Sequence, residues 1–287
     1  SIRVHLLDDA RRTDAARRVA MAISEHGFCV CRGGLDASVV ADARHEITAL
    51  HRHGAMRPGG FTIGGRDHVV KATRDDHTIW LHEFLDAVGG PDKGGVGTLT
   101  ALDGALSGFG QAVMDAIGAL DRPDQPMSRV GPCDAEALHF CGRTDLMLAC
   151  YPGNGAAYGP HVDNADGDGR GAHDYGRCIT LVYYLNETDW DGDASGGQLR
   201  VHLPPPAEDA NEAATLLPRV TRTWPKSARI DATAHAVVDV VPTGDTMVLF
   251  RADRMLHEVR PSRDARFAMT VWLYGGDAQM ARRLAAG

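Results

Sequence analysis

The hydrophobic period of this chain changes once, near Asp145, and that change limits the folds open to it. Upstream, apolar residues recur at the three-four spacing of a helix with one buried face. Thr13 reads as the N-cap of a helix reaching about His26 and stopped by Gly27. Phe28 to Cys31 reads as a short strand. Asp36 caps a second helix whose stripe is Val39, Val40, Ala43, Ile47 and Leu50, ended by Gly54. A glycine-rich loop spans Gly54 to Asp76, followed by a short helix around Trp80 to Leu85. A longer helix then carries Leu99, Leu102, Leu106, Phe109, Val113 and Ile117. Downstream of Asp145 the pattern becomes short alternating runs cut by Gly, Pro and Asp turns, the signature of strands. These are Asp145–Tyr151, Gly159–Val162, Arg177–Asn186, Gln198–Leu203, Ala236–Val241, Thr246–Phe250, Leu256–Val259 and Ala265–Tyr274. Eight strands after a helical start predict a mainly β fold: a jelly-roll (double-stranded β-helix, cupin-like) core braced by N-terminal helices.

The expected organisation is one catalytic domain over 1–287. Residues 1–143 supply helical support and a substrate loop, and 144–275 the jelly-roll, with an insertion at 204–236. That insertion opens with three prolines and reads as a surface loop, a lid or a partner surface. A net charge of -8 argues against nucleic acid or an anionic membrane as main partner. No run is long and apolar enough for a membrane span, and Ser1 to Ala20 lacks the apolar stretch of a secretory leader. The six cysteines include the close pair Cys29 and Cys31, but no matching Cys/His pair lies at zinc spacing elsewhere. Free buried thiols in a reducing cytoplasm, or a nucleus in a eukaryote, are the expectation.

The chemistry concentrates in three residues. His161 and Asp163 lie two apart in Tyr-Gly-Pro-His-Val-Asp-Asn, and His257 opens His-Glu-Val-Arg-Pro. Two imidazoles and one carboxylate make a facial triad for Fe(II), covering one face of an octahedral ion and leaving neighbouring positions open. Nine residues after His257, Arg266 lies on the last expected strand. Its guanidinium suits the distal carboxylate of a 2-oxo acid, because it binds carboxylate through a planar fork. A lone His-x-Asp is weak evidence in a chain with 14 His, but the downstream His and Arg form an independent condition. Strand alternation groups the remaining candidates: Thr180 with Val182 and Tyr184, Arg266 with Ala268, Thr270 and Trp272, and Met147 with Ala149 and Tyr151.

The segments Met-Leu-Ala-Cys-Tyr-Pro-Gly-Asn-Gly (147–155), His-Val-Asp-Asn, Tyr-Tyr-Leu-Asn, Ser-Gly-Gly-Gln-Leu-Arg and Arg-Phe-Ala-Met-Thr-Val-Trp resemble the prolyl-hydroxylase-domain family. These are the dioxygenases that hydroxylate hypoxia-inducible factor, together with their bacterial relatives. The resemblance runs from about Gly27 to Tyr274. It implies iron ligands at His161, Asp163 and His257, and an Arg266 salt bridge to 2-oxoglutarate. It implies co-substrate contacts from Tyr184 and Tyr151, and pocket positions at Thr180, Leu199 and Trp272. Tyr158 matches a substrate-side tyrosine. Arg-Asp-Asp-His-Thr-Ile-Trp (74–80) is similar to the family's Arg-x-Asp followed by Trp, which places Asp76 and Trp80 on the substrate side.

The resemblance implies Fe(II), 2-oxoglutarate and O2, with ascorbate as an optional reductant. It also implies oxygen-sensing chemistry and a protein or peptide substrate carrying a target proline. The Gly54–Asp76 loop takes the place of the family's mobile loop over the peptide. The carboxylate of Asp163 speaks against a halogenase, which needs a small residue there. Two other readings stay open: a hydroxylase of a free amino acid or natural product, and a non-catalytic 2-oxoglutarate-binding interaction module.

Overall fold

The computed structural model describes residues 2–63, 66–69, 74–120, 139–164, 177–203, 236–252 and 255–276. After strand β1 (Ile2–Arg3), helix α1 (Asp9–His26) begins a turn earlier than Thr13 suggests. Its N-cap is Asp8, whose extended backbone lets the carboxylate accept the N–H of Arg11. Thr13 lies inside the helix, with its hydroxyl on the Asp9 carbonyl. Strand β2 (Phe28–Arg32) follows, then α2 (Ala37–Arg52), with Asp36 at the N-cap position but no side-chain cap bond.

The Gly54–Asp76 segment is more than a loop. It contains β3 (Arg57–Pro58) and a hairpin of β4 (Gly60–Ile63) with β5 (Arg66–Val69). Trp80 closes β6 (His77–Trp80), and α3 (Leu81–Val88) starts just after it. A short α4 (Pro91–Gly94) leads to α5 (Gly97–Leu120). The α5 N-terminus is capped from α2: the Glu46 carboxylate accepts the N–H groups of Thr98 and Leu99 at 2.9 and 2.8 Å. That satisfies orphan donors and sets a negative charge against the positive helix end.

The remaining strands are β7 (His139–Arg143), β8 (Met147–Tyr151), β9 (Ala156–His161) and β10 (Arg177–Tyr184). After the short α6 (Gly192–Ser195) come β11 (Leu199–His202), β12 (Val237–Val240), β13 (Thr246–Arg251), β14 (Leu256–Ser262) and β15 (Arg266–Gly276). All eight strands expected after Asp145 are present. The segments 165–176 and 204–235, with most of the expected insertion, lie outside the described residues.

From β8 onward the chain passes back and forth between two sheets, with β11 and β12 in succession in the smaller one. The large sheet runs β1-β2-β13-β10-β15-β8-β6-β3, with β7 also against β15, and the small one runs β12-β11-β14-β9. Their facing sides share one apolar cluster. The large sheet gives it Val182, Tyr184, Val248, Phe250 and Ala268; the small sheet gives Leu199, Val201, Val240 and Val259. This is the jelly-roll layering, with both sheets open at their edges. On the other face of the large sheet, Leu181, Tyr183, Phe267, Met269 and Val271 join Val19 of α1, Ile47 of α2 and Leu106 and Phe109 of α5. No helix among the described residues is long and apolar enough to cross a membrane.

Candidate active site

His161 ends β9, and His257 is the second residue of β14. The two are direct partners across the antiparallel ladder, so their side chains leave the same face of the small sheet. Asp163 follows His161 by two residues. The ligand atoms of the three all lie within 4.8 Å of one another, the one such cluster among the described residues. Asp163 Oδ1 is 3.4 Å from His161 Nε2 and 3.7 Å from His257 Nε2. Each Nδ1 faces a backbone carbonyl at 2.9 Å, Gly159 for His161 and Met255 for His257. Those carbonyls hold the proton on Nδ1 and leave Nε2 as the free donor atom.

The second carboxylate oxygen is occupied. Thr180 Oγ1 donates to Asp163 Oδ2 at 2.5 Å and Trp272 Nε1 donates at 3.0 Å. Only Oδ1 is left toward the imidazoles, which favours one-oxygen ligation. Thr180 and Trp272 are paired residues on β10 and β15, so the ladder register aims both at the same atom. Arg177 lies over the Trp272 ring at 4.2 Å. Asn164 fixes the turn after the carboxylate, with its amide on the Arg177 carbonyl and its N–H on Ala252.

Electrostatics suit a cation. Burial alone would raise the Asp163 carboxyl. Facing His257 and His161, with the Thr180 hydrogen bond, outweigh it and hold the group well below the usual carboxylate range. Burial, with His161 alongside, pushes His257 down to about 4. It stands neutral near pH 7, as a metal ligand must.

On the side of β15 that carries Trp272, six residues earlier, lies Arg266, 2% exposed and the largest fully buried side chain among the described residues. Its Nε donates to the Gly197 carbonyl at 2.8 Å, and its guanidinium carbon sits 4.9 and 4.8 Å from the Tyr151 and Tyr184 rings. So, among the described residues, a buried charge faces a neutral carbonyl and two phenols rather than a carboxylate. Gly197, at φ +72, permits this: a Cβ there would lie 2.9 Å from Arg266 Cδ and 2.7 Å from Ser262 Oγ. The Tyr184 hydroxyl is fully buried with no hydrogen-bond partner among the described residues. Burial raises its phenol, while Arg266 pulls the other way. An unmatched cation beside an unsatisfied hydroxyl fits an anionic oxygen ligand such as a carboxylate. Ala268 and Thr270 lie between Arg266 and Trp272 on this face, and Leu199 lines the opposite wall from the small sheet.

The residues expected on the substrate side separate. Trp80 is half-buried, its ring 6.2 Å from that of Trp272. Tyr158 stacks on His161. Asp76 is buried, 2% exposed and fork-bonded by Arg74. Sequence reasoning did not pick out Arg177 or Gly197. The Gly196–Gly197 pair, both at positive φ, was the visible signal for the second; nothing local marks the first.

The 2OG-Fe(II) oxygenase superfamily model matches residues 146–274. Mouse prolyl hydroxylase EGLN3 is 31% identical over 265 residues, 92% of this chain and 84% of that protein. Mouse Egl nine homolog 1 is 28% identical over 264 residues, and the chain spans 50% of its length. A Trichoplax adhaerens prolyl hydroxylase in complex with a hypoxia-inducible-factor peptide fragment shares the fold. Its TM-score is 0.59 at 24% identity, with 99% of this chain and 100% of that one covered. A Pseudomonas putida prolyl-4-hydroxylase gives 0.56 at 20% identity, covering 90% and 98%.

Proposed function

Since the chain belongs to the prolyl-hydroxylase-domain family of the 2OG-Fe(II) oxygenase superfamily, we propose that it is an Fe(II)- and 2-oxoglutarate-dependent dioxygenase acting on prolyl residues of a protein or peptide. The observation that carries the reading is Arg266: a buried guanidinium with no carboxylate against it among the described residues, beside the unsatisfied Tyr184 hydroxyl, on the side of β15 that faces the small sheet and its His161–Asp163–His257 cluster.

Bound iron, with 2-oxoglutarate and O2, supplies the oxidising chemistry. The protein's part is positional. His161, Asp163 and His257 hold the metal through Nε2, Oδ1 and Nε2, and Thr180 and Trp272 keep the carboxylate turned. Arg266 and Tyr184 receive the distal carboxylate, with Tyr151 covering the guanidinium from the other ring. The apolar wall of Val182, Leu199 and Val201 excludes water from the space between. Trp80 and Tyr158 flank the metal where a substrate approaches. The 54–76 stretch takes the part of the substrate loop, and Asp76 acts through Arg74. Ascorbate belongs to the same reading as an auxiliary reductant. The buried free thiols Cys29, Cys31 and Cys150 suit a reducing compartment such as the cytoplasm.

The test is succinate release coupled to a +16 Da shift on a prolyl peptide, measured with Fe(II) and 2-oxoglutarate. Succinate that rises with the peptide, together with hydroxyproline, supports the reading. Turnover on free amino acids but not on peptides would move the assignment to a small-molecule hydroxylase. No succinate with any substrate would leave a binding module.

A further inference from the structure

The two imidazoles of the cluster are supported unequally. The His257 side chain is 6% exposed, with its ring 4.5 Å from that of Phe250. The His161 side chain is 21% exposed, and β9 is the edge of the small sheet. What covers His161 is Tyr158: the ring centroids are 3.8 Å apart and the planes 14° from parallel. Tyr158 has its own support, the Arg74 guanidinium carbon 4.6 Å from its ring centroid.

Arg74 is fixed in turn. Its Nε and a terminal guanidinium nitrogen donate to the two Asp76 oxygens at 2.6 and 2.5 Å. Burial works against the guanidinium charge, but the Asp76 hydrogen bond and charge outweigh it and leave Arg74 above its ordinary range. The backbone adds a bridge from Arg74 to Tyr158 and a 2.9 Å bond from the Asp75 N–H to the Ala157 carbonyl. Gly59 closes the arrangement. Its N–H meets the Asp76 carbonyl at 2.6 Å. A side chain there would fall 2.4 Å from Asp76 Oδ1 and 2.6 Å from Arg74 Nε. A buried ion pair is a poor source of net stability, because both ions lose their hydration. Here it fixes the place of one guanidinium over one ring.

We propose that Arg74, locked by Asp76, and Tyr158 are positioning residues that hold the His161 imidazole for its metal bond and so tie the metal centre to Gly59 and residues 74–76. The inference rests on the metal reading of the cluster. It differs from a substrate-contact role for Tyr158 and Asp76, which would alter peptide KM and leave the metal site unchanged with no peptide present. Under the positioning role, any displacement of Arg74 reaches the metal through one stacked ring.

The test uses Co(II)-loaded protein without peptide or 2-oxoglutarate, read by visible absorption and by chelator competition. Tyr158→Leu removes the stack and shifts the Co(II) bands. It weakens Co(II) by about tenfold, the low end of the range for changes just outside a ligand shell. Tyr158→Phe keeps the ring and restores both band positions and affinity. Removing the ion pair as a unit (Arg74→Met with Asp76→Leu, so that no charge is left buried alone) shifts the bands in the same direction by less. Should Tyr158→Leu lose the native circular dichroism, this double variant carries the test. Unshifted bands with unchanged affinity in Tyr158→Leu, or a Phe variant behaving like Leu, would overturn the proposal. A wild-type protein that fails to take Co(II) would overturn the metal reading beneath it.

Discussion

Thr180 and Leu181 are chain neighbours with opposite surroundings. On β10, Thr180 faces the space between the sheets and bonds Asp163. Leu181 faces the helices within an apolar layer that includes Tyr183, Met269 and Val271. The same contrast runs along β15, where Arg266, Thr270 and Trp272 alternate with Phe267, Met269 and Val271. One set of strands therefore carries two chemistries, separated only by the two-residue period of the backbone. The helix-facing side, bound by non-directional apolar contact, sets stability. The other side holds directional hydrogen bonds and a buried charge, which add little to stability and fix ligand geometry.

Substitutions on each side should separate cleanly. The largest effect is expected from His257→Ala. It removes a ligand, so metal affinity should fall by more than the roughly 100-fold seen for changes just outside the ligand shell, with turnover lost and the melting curve of the metal-free protein nearly unchanged. A chelator titration beside a thermal melt reads both, and an active variant would remove the triad from consideration. Leu181→Ala is the converse. A fully buried leucine should cost about 2–5 kcal/mol of unfolding free energy, while the remaining folded protein keeps its metal affinity; urea titration with and without Co(II) separates the two.

Arg266→Ala returns to the site side. Losing a charge-assisted hydrogen bond costs about 1.5–3 kcal/mol, so 2-oxoglutarate should weaken by an order of magnitude or more. Calorimetry showing equal affinity would mean the anchor lies elsewhere. The smallest effect concerns Cys150, on the helix-facing side opposite Phe267. Burial, with Asp76 adding to it, pushes its thiol up to about 12 from 9.0. The folded state therefore keeps the proton that the unfolded chain gives up. Its contribution is complete below pH 9 and is lost as pH rises toward 12. Iodoacetamide should leave Cys150 untouched near pH 8 until the protein unfolds, and Cys150→Ala should soften the alkaline loss of stability.

Period was legible in the sequence and register was not. Alternation placed Thr180, Tyr184, Arg266 and Trp272 on faces of their strands, and the structure finds them lining the space between the sheets. That Thr180 and Trp272 meet on one oxygen follows from a ladder pairing residues about 90 apart, which no local pattern encodes. The same limit explains Arg177, brought over Trp272 by strand pairing alone. The first helix was misplaced by a turn because Thr13 and Asp8 are both acceptable caps, and local backbone conformation chooses between them. The hairpin inside 54–76 escaped notice because its glycines read as turns on their own.

The pairing of His161 with His257 joins strands almost a hundred residues apart in the chain. Neither the unfolded chain nor a fragment that stops before β14 brings the two imidazoles together. An ion held there works as a clasp on the finished fold: it binds the native chain and ignores its precursors. The measured stability of this protein is then a property of the solution as well as of the chain. Every tenfold excess of metal over its dissociation constant should add about 1.4 kcal/mol, and a chelator should withdraw the same amount without touching a single packed side chain.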